Sequence, residues 1–326
     1  MKVTVIGAGA WGTALARLLH QNGYEVTLWA HNPDCLEQIR RTGINERYLP
    51  GIELPRACRL ESNLSNAASG AQAVVIAVPS KYFREVTRGL PDFAGLAVSV
   101  TKGIEHETGL TMSEVLRETM PQATASALSG PTLALEVARG IPGAIVAANE
   151  NEEQARLVQR LFHCNTLRVY TSTDPIGVQL GGAIKNVLAI AAGTSDGLGF
   201  GDNSKAALVT RAIVEMRRLG VACGAQPETF SGLSGVGDLV VTCFSKLSRN
   251  RGFGEKLGRG EKLEQILAST VTVAEGYPTA RGAFQLARKL KIETPIIDEV
   301  YAMLYQSKAV REALHDLMSR DTKPED

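Results

Sequence analysis

The feature that most narrows what this chain can fold into stands at its start. Val3-Thr4-Val5-Ile6 runs into Gly7-Ala8-Gly9-Ala10-Trp11-Gly12 and then into Thr13-Ala14-Leu15-Ala16-Arg17-Leu18-Leu19. A β-branched run followed by a helix-forming one predicts a strand and a helix, and three glycines at this spacing between them predict a dinucleotide-binding turn. Gly7 permits the tight turn, Gly9 lets the backbone approach a pyrophosphate, and Gly12 allows close packing of the helix. The phosphate would then meet free N–H groups at the helix start. A glycine turn of purely structural purpose is the competing reading, and the strand-to-helix placement argues against it.

The same alternation continues through the first half. Candidate strands are Val3–Ile6, Val26–Trp29, Val74–Val78, Ala97–Val100, Ala125–Leu128, Ala144–Ala147 and Leu167–Val169, separated by helix-compatible stretches. Because they lack strict polar alternation, most are expected to be covered on both faces, as in a parallel sheet with helical crossovers. At Ser172-Thr173-Asp174-Pro175 the pattern changes: Thr173 or Asp174 can cap a helix and Pro175 suits its first turn. Downstream, helices are expected at Pro175–Ala192, Asn203–Leu219, Tyr277–Leu290, Pro295–Tyr305 and Lys308–Ser319. The expectation is an α/β Rossmann-type domain with a mostly parallel sheet over residues 1–173, followed by an all-α domain over residues 174–326.

Composition agrees with two ordinary globular domains. The 326 residues are 44% apolar, and 35 Lys+Arg against 34 Asp+Glu leave a formal charge of +1. Without a clustered basic run, nucleic acid and anionic membranes are not expected as main partners, whereas a small anionic ligand is compatible. Five cysteines, Cys35, Cys58, Cys164, Cys223 and Cys243, form no C-x-x-C pair. That fits neither a disulfide framework nor a thiolate metal site, and no metal is expected. With no apolar signal core after Met1-Lys2 and no membrane-length apolar run, a cytoplasmic protein with no integral membrane segment is expected.

At the end of the second strand, Trp29-Ala30-His31-Asn32 has Ala30 where an NAD-selective site often carries a carboxylate for the ribose 2′-hydroxyl. Its absence removes repulsion against a 2′-phosphate, so NADPH should be tolerated. His31 is a candidate contact at that end, and an exposed loop histidine is the plain alternative.

A hydroxyl–carbonyl interconversion also needs a proton-transfer group, which glycines cannot supply. Lys185 is a charge inside the otherwise apolar Gly181-Gly182-Ala183-Ile184-Lys185-Asn186-Val187-Leu188-Ala189-Ile190. Such a lysine either snorkels outward, pairs with a carboxylate, or acts as an acid–base group. To do the last its pKa must fall from about 10.4 towards 7–8, by burial or a second cation. Lys102 follows a predicted strand's carboxyl end, where ligands of open parallel sheets collect, and repulsion from it is one route to that fall. Asp238, on the glycine-rich turn Gly235-Val236-Gly237-Asp238-Leu239, would position the ammonium and limit the shift; an Asx-type turn is its alternative reading. Asp202 is read as a helix cap.

Two further segments offer oxygen contacts. Ser129-Gly130-Pro131-Thr132 follows a predicted strand and precedes a possible helix at Leu133–Ala138, so its N–H groups and the Thr132 hydroxyl can bind oxygens. Ser248-Arg249-Asn250-Arg251-Gly252 presents a planar guanidinium fork with small polar neighbours, suited to phosphate. A strand-to-helix turn and a solvated polar loop are the respective plain readings.

GAGAWG, TKGIE, LSGPT, KNVLAIAAGTSDGLGFGDNSKAAL, GVGDL, SRNRGFG and VAEG occur together in this order. That set resembles the bacterial NAD(P)-dependent glycerol-3-phosphate dehydrogenase family over nearly the whole chain. The resemblance implies reversible reduction of dihydroxyacetone phosphate to sn-glycerol 3-phosphate with NADPH or NADH, in service of glycerophospholipid synthesis, by a cytoplasmic homodimer. It implies that Lys185 exchanges the proton with the substrate C2 oxygen, and that Lys102, Gly130, Thr132, Asp238, Ser248, Arg249 and Asn250 contact substrate. It also implies that Trp11, His31, Lys102, Ala134, Arg249, Val273 and Glu275 line the nucleotide beside the Gly7, Gly9, Ala10 and Gly12 turn. Ala10 stands where a hydroxyl residue is common, and Ala274 where a bulkier one is expected between Val273 and Glu275.

Two rival functions fit parts of the pattern. A related two-domain dehydrogenase would act on a β-hydroxy acid or a ketopantoate-like carboxylate. A non-catalytic NAD(P)H sensor would bind nucleotide without turnover.

Overall fold

In a computed structural model, which describes residues 1–105, 107–269, 274–322 and 324–325, the first half carries eight strands. They are β1 (Lys2–Ile6), β2 (Glu25–Trp29), β3 (Arg59–Glu61), β4 (Ala73–Ile76), β5 (Leu96–Ser99), β6 (Thr124–Ser129), β7 (Gly143–Ala148) and β8 (Leu167–Ser172). Between them lie α1 (Ala10–Gln21), α2 (Pro33–Thr42), α3 (Leu64–Ala68), α4 (Ser80–Arg88), α5 (Met112–Thr119), α6 (Ala134–Ala138) and α7 (Glu152–Phe162). The strands form one sheet in the order β3-β2-β1-β4-β5-β6-β7-β8. Only the β6–β7 pair is antiparallel. The order reverses direction between β1 and β4, which opens a crevice at the carboxyl ends of those strands, the place where open α/β sheets bind ligands.

Burial explains the run-like strands. Val3 and Val5 of β1 pack with Leu15 and Leu19 on one face, while Ile6 packs with Val74, Ile76 and Phe83 on the other. A strand covered on both faces has no polar side to alternate with. The expectation fails at β8, an edge strand where Arg168 and Tyr170 are exposed and Leu167 and Val169 are buried. It also missed β3, because Arg59-Leu60-Glu61 is short and polar and becomes a strand only by pairing with Thr27, Leu28 and Trp29 of β2.

The second half is helical among the described residues: α8 (Pro175–Gly197), α9 (Asp202–Ala222), α10 (Asp238–Phe244), α11 (Arg249–Gly258), α12 (Leu263–Ser269), α13 (Gly276–Leu290), α14 (Pro295–Tyr305) and α15 (Val310–Met318). Asp174 caps α8, accepting from the Gly177 N–H at 2.8 Å, with Pro175 in the first turn. A second cap function ties the helix to its surroundings, since the other Asp174 oxygen accepts from Thr229 Oγ1 at 2.6 Å and Gln226 N at 2.9 Å.

The α8 helix is apolar all round and forms the axis of this half, with Ile184, Val187, Leu188 and Ile190 fully buried among α9, α10, α11, α13 and α14. Each such side chain contributes about 1.5–3 kcal/mol on burial. Its length and apolarity would suit a membrane span, but 89% of the apolar window is buried inside the protein, as in a core helix.

Two plain alternative readings fall and one expectation is corrected. The segment bearing Asp238 is not an Asx-type turn: Leu233–Gly237 makes a π-helical turn and Asp238 opens α10. The stretch Ser248–Gly252 is not a loop: Ser248 caps α11 and Arg249 is its first residue. Asp202 lies in the first turn of α9, where Gly201 takes the cap position.

Candidate active site

At the dinucleotide turn close contacts demand glycine at positions 7 and 12, whereas position 9 is open. Gly7 has φ +115° and its N–H donates to Trp29 O at 3.0 Å. A Cβ on Gly12 would lie 1.8 Å from Gly7 O, so only glycine lets α1 start this close to the turn. A Cβ on Gly9 would meet nothing within 4 Å. Space at Gly9 and a helix start with no side-chain cap suit the backbone for an approaching pyrophosphate. Asn45, fully buried, holds the turn from outside by donating to Ala8 O and Thr13 Oγ1, both at 2.8 Å. No local sequence signal marked it.

In the second half of the chain, Lys185 stands on α8 and is 5% exposed. Its ammonium donates to Thr242 Oγ1 at 2.8 Å and forms a close ion pair with Asp238. Thr242 stands one turn beyond Asp238 on α10 and donates to Asp238 O at 2.6 Å. Lys102, in the loop after β5, reaches the other Asp238 oxygen at 2.7 Å, Gly130 O at 2.8 Å and Thr132 Oγ1 at 3.5 Å. One fully buried carboxylate therefore joins two lysines from opposite halves of the chain.

Burial pushes the Lys185 ammonium down to about 7; Asp238 opposes the fall and Lys102 adds to it. Desolvation disfavours the charged form, and here it outweighs the carboxylate.

A chain of amides secures the same loop. Asn186 Nδ2 donates to Lys102 O at 3.1 Å, Asn250 Nδ2 to Asn186 Oδ1 at 2.8 Å, and Gly276 N to Asn250 Oδ1 at 2.9 Å. Thus Lys102, Gly130, Thr132, Lys185, Asp238 and Asn250 form one connected group. Ser248 and Arg249 stand at the start of α11 next to Asn250, with Ser248 Oγ accepting from Arg251 N at 3.2 Å.

On the nucleotide side, Trp11, Ala10 and Ala134 pack in one cluster between α1 and α6. The buried Trp11 Nε1 has no hydrogen-bond partner among the described residues. Ala30 is buried at the end of β2, whereas His31 is exposed, its ring tilted against Trp29 with centroids 6.5 Å apart, outside the lysine group. Glu275 accepts from Ser80 Oγ at 2.6 Å and Ser80 N at 3.2 Å, and burial raises its pKa. Val273 lies outside the described residues. Asn186, Thr242 and Ser80 were missed from sequence; Asn186 had adjacency to Lys185 as a signal, and Thr242 had spacing from Asp238 on a helix that was not recognised. No group of three or more His, Cys, Asp or Glu suited to a metal occurs among the described residues.

A dinucleotide turn at a sheet crevice, facing a helical domain that carries a buried lysine of lowered pKa, defines an oxidoreductase of the two-domain nicotinamide type. Residues 2–155 match the family model for the NAD-dependent glycerol-3-phosphate dehydrogenase N-terminus, and residues 174–315 that for its C-terminus. Over 331 aligned positions the chain is 50% identical to glycerol-3-phosphate dehydrogenase [NAD(P)+] of Syntrophotalea carbinolica, covering 100% of this chain and 99% of the relative. The crystal structure of glycerol-3-phosphate dehydrogenase from Coxiella burnetii superposes with a TM-score of 0.94 at 36% identity, covering 98% of this chain and 99% of that one. The chain belongs to the NAD-dependent glycerol-3-phosphate dehydrogenase family, whose activity interconverts dihydroxyacetone phosphate and glycerol 3-phosphate with NADH or NADPH. A ketopantoate reductase from Ralstonia eutropha is similar at a TM-score of 0.63 and 20% identity, covering 97% of this chain and 100% of that one, a likeness of fold alone.

Proposed function

We propose that Lys185 is the acid–base group of this reaction, carried by a single observation: an amine buried on an apolar helix, held by Asp238 and Thr242, with its pKa lowered to about 7. A nicotinamide cofactor would be held by the Gly7, Gly9, Ala10, Trp11 and Gly12 turn with Ala134, His31, Lys102, Arg249 and Glu275, and would supply the hydride for reduction at the substrate C2 carbon. In that direction the Lys185 ammonium gives a proton to the C2 oxygen; in reverse the neutral amine takes it back. Lys102, a cation on the same carboxylate, polarises the carbonyl, and Gly130 and Thr132 bind the hydroxyl end.

Ser248, Arg249 and Asn250 hold the phosphate, so binding energy remote from the reacting carbon orients it. Asp238 fixes both amines relative to each other and keeps Lys185 from losing its proton too readily. The nucleotide domain in this reading is residues 1–173 and the substrate domain 174–326, supported by the end of β8 at Ser172 and the start of α8 at Pro175. Homodimeric assembly, a cytoplasmic site and a role in glycerophospholipid synthesis belong to the same reading, supported by family membership.

A spectrophotometric assay tests it. Dihydroxyacetone phosphate should drive NADPH oxidation far faster than dihydroxyacetone or ketopantoate, and NADPH should serve at least as well as NADH because Ala30 brings no carboxylate to the ribose. Equal rates with and without the phosphate would overturn the role of Arg249.

A further inference from the structure

We infer that Asp196 is a positioning residue for the phosphate end of the substrate, acting through Arg251 on Arg249; the inference rests on the proposal that Arg249 holds that phosphate. Asp196 stands in the last turn of α8, about three turns beyond Lys185. Its two oxygens pair with Lys205 Nζ of α9 at 2.5 Å and Arg251 Nη2 of α11 at 2.7 Å. All three side chains are 12% exposed. Arg251 also pairs with Glu255 at 3.2 Å, one turn along its own helix. The Lys205 ammonium lies 5.1 Å over the Phe244 ring, at the far end of the helix that Asp238 begins. One carboxylate thus ties α8, which carries Lys185, to α9 and to α11, which carries Arg249.

The backbone beneath this cluster has little freedom. Glycines press α8 against α11: an added Cβ at Gly193 would lie 1.9 Å from Arg251 O, and one at Gly254 would lie 2.0 Å from Ile190 O. Arg249 and Asn250 sit between two fixed points. On one side Ser248 accepts from the Arg251 N–H; on the other, Asn250 is held by Asn186 and Gly276. The Arg251 side chain, anchored on Asp196, sets the rotation of that first turn and hence the direction in which the Arg249 guanidinium leaves the helix. Buried ion pairs often add little net stability, so a geometric purpose accounts for this cluster better than a stabilising one.

The test compares kcat/KM for dihydroxyacetone phosphate with kcat/KM for dihydroxyacetone in the full-length enzyme, for wild type, Asp196→Asn, Arg251→Lys and Arg249→Ala. Asp196→Asn and Arg251→Lys should each lower the ratio about tenfold, which is about 1.4 kcal/mol of lost phosphate discrimination. Combining Asp196→Asn with Arg249→Ala should lower it no further than Arg249→Ala alone. If Asp196→Asn does not fold, Arg251→Lys carries the comparison. A ratio that falls in Arg249→Ala but holds in both other variants overturns the inference alone. A ratio unchanged in Arg249→Ala overturns the phosphate reading and the inference with it.

Discussion

Lys102 and Lys185 stand on opposite oxygens of one carboxylate, that of Asp238, although one comes from a sheet loop and the other from the core helix of the second half. Two cations at one anion leave a net positive site facing the crevice, suited to an oxygen that gains negative charge as hydride arrives. Burial lowers the Lys185 pKa towards neutrality. Lys185→Ala should therefore reduce turnover by about 10²–10⁴-fold, the usual contribution of a positioned acid–base group. NADPH binding followed by fluorescence should survive, because no contact of Lys185 reaches the glycine turn. Turnover close to wild type would remove Lys185 from the chemistry.

In the proposed mechanism the same amine sets the pH dependence. Reduction needs the ammonium, so its kcat/KM should fall as pH rises through about 7, the value to which burial brings Lys185. Oxidation of glycerol 3-phosphate needs the neutral amine and should rise over the same interval. Asp238→Asn removes the attraction that opposes the fall, moving both limbs to lower pH, while Lys102→Gln should move them up. The stability sign follows from the same shift: between about 7 and the ordinary 10.5 the unfolded chain holds a proton that the folded one does not. This group's contribution should therefore become more favourable as pH rises through that window. Limbs that stay in place in both variants would refute the assignment.

Gly9 and Gly12 separate folding from cofactor binding. A Cβ at Gly12 would strike Gly7 O at 1.8 Å, whereas one at Gly9 would find open space within the protein. Gly12→Ala should lower Tm and yield, because α1 must move off the turn. Gly9→Ala should leave Tm within a degree or two while weakening NADPH binding about tenfold or more, since its methyl group intrudes only where a pyrophosphate approaches. Calorimetric titration and thermal melts distinguish the two; unchanged affinity in Gly9→Ala would exclude the turn as the phosphate contact.

What could be read from residues alone had a local cause. The β1 run, the glycines and the start of α1 are contiguous, and Lys185 stands out because its neighbours are apolar. Asp174 and Pro175 carry a helix start in their own chemistry. The failures are long-range. Gly235 and Gly237 argue for a turn, and with Asp238 read as part of it, the alignment of Thr242 one helical turn later stays hidden. Gly252, Gly254 and Gly258 make α11 look like a loop, yet Gly254 and Gly258 serve close packing against α8, a partner far away in sequence. Asn45 and Ser80 act through contacts with the glycine turn and Glu275 that no spacing rule connects.

Glu215 offers a check on the second half that is independent of catalysis. It is buried on α9 and accepts from the N–H groups of Ile296 at 2.8 Å and Ile297 at 3.2 Å, capping α14 from a neighbouring helix. Burial raises its pKa to about 7, against the pull of those two donors; nearby Asp298 adds to the rise and Arg218 opposes it. Because the folded value lies above the ordinary 4.5, the folded state holds a proton that the unfolded state releases, and stability should fall as pH rises from about 4.5 through 7. Glu215→Gln keeps an acceptor for the α14 amides and cannot ionise, so the fall in Tm over that interval should be shallower than in wild type. Glu215→Ala leaves two buried donors unmet and should cost about 1–3 kcal/mol. If Glu215→Gln reproduces the wild-type slope, the carboxyl group is already ionised in the folded protein, and the two amides, rather than the surrounding apolar side chains, control its proton.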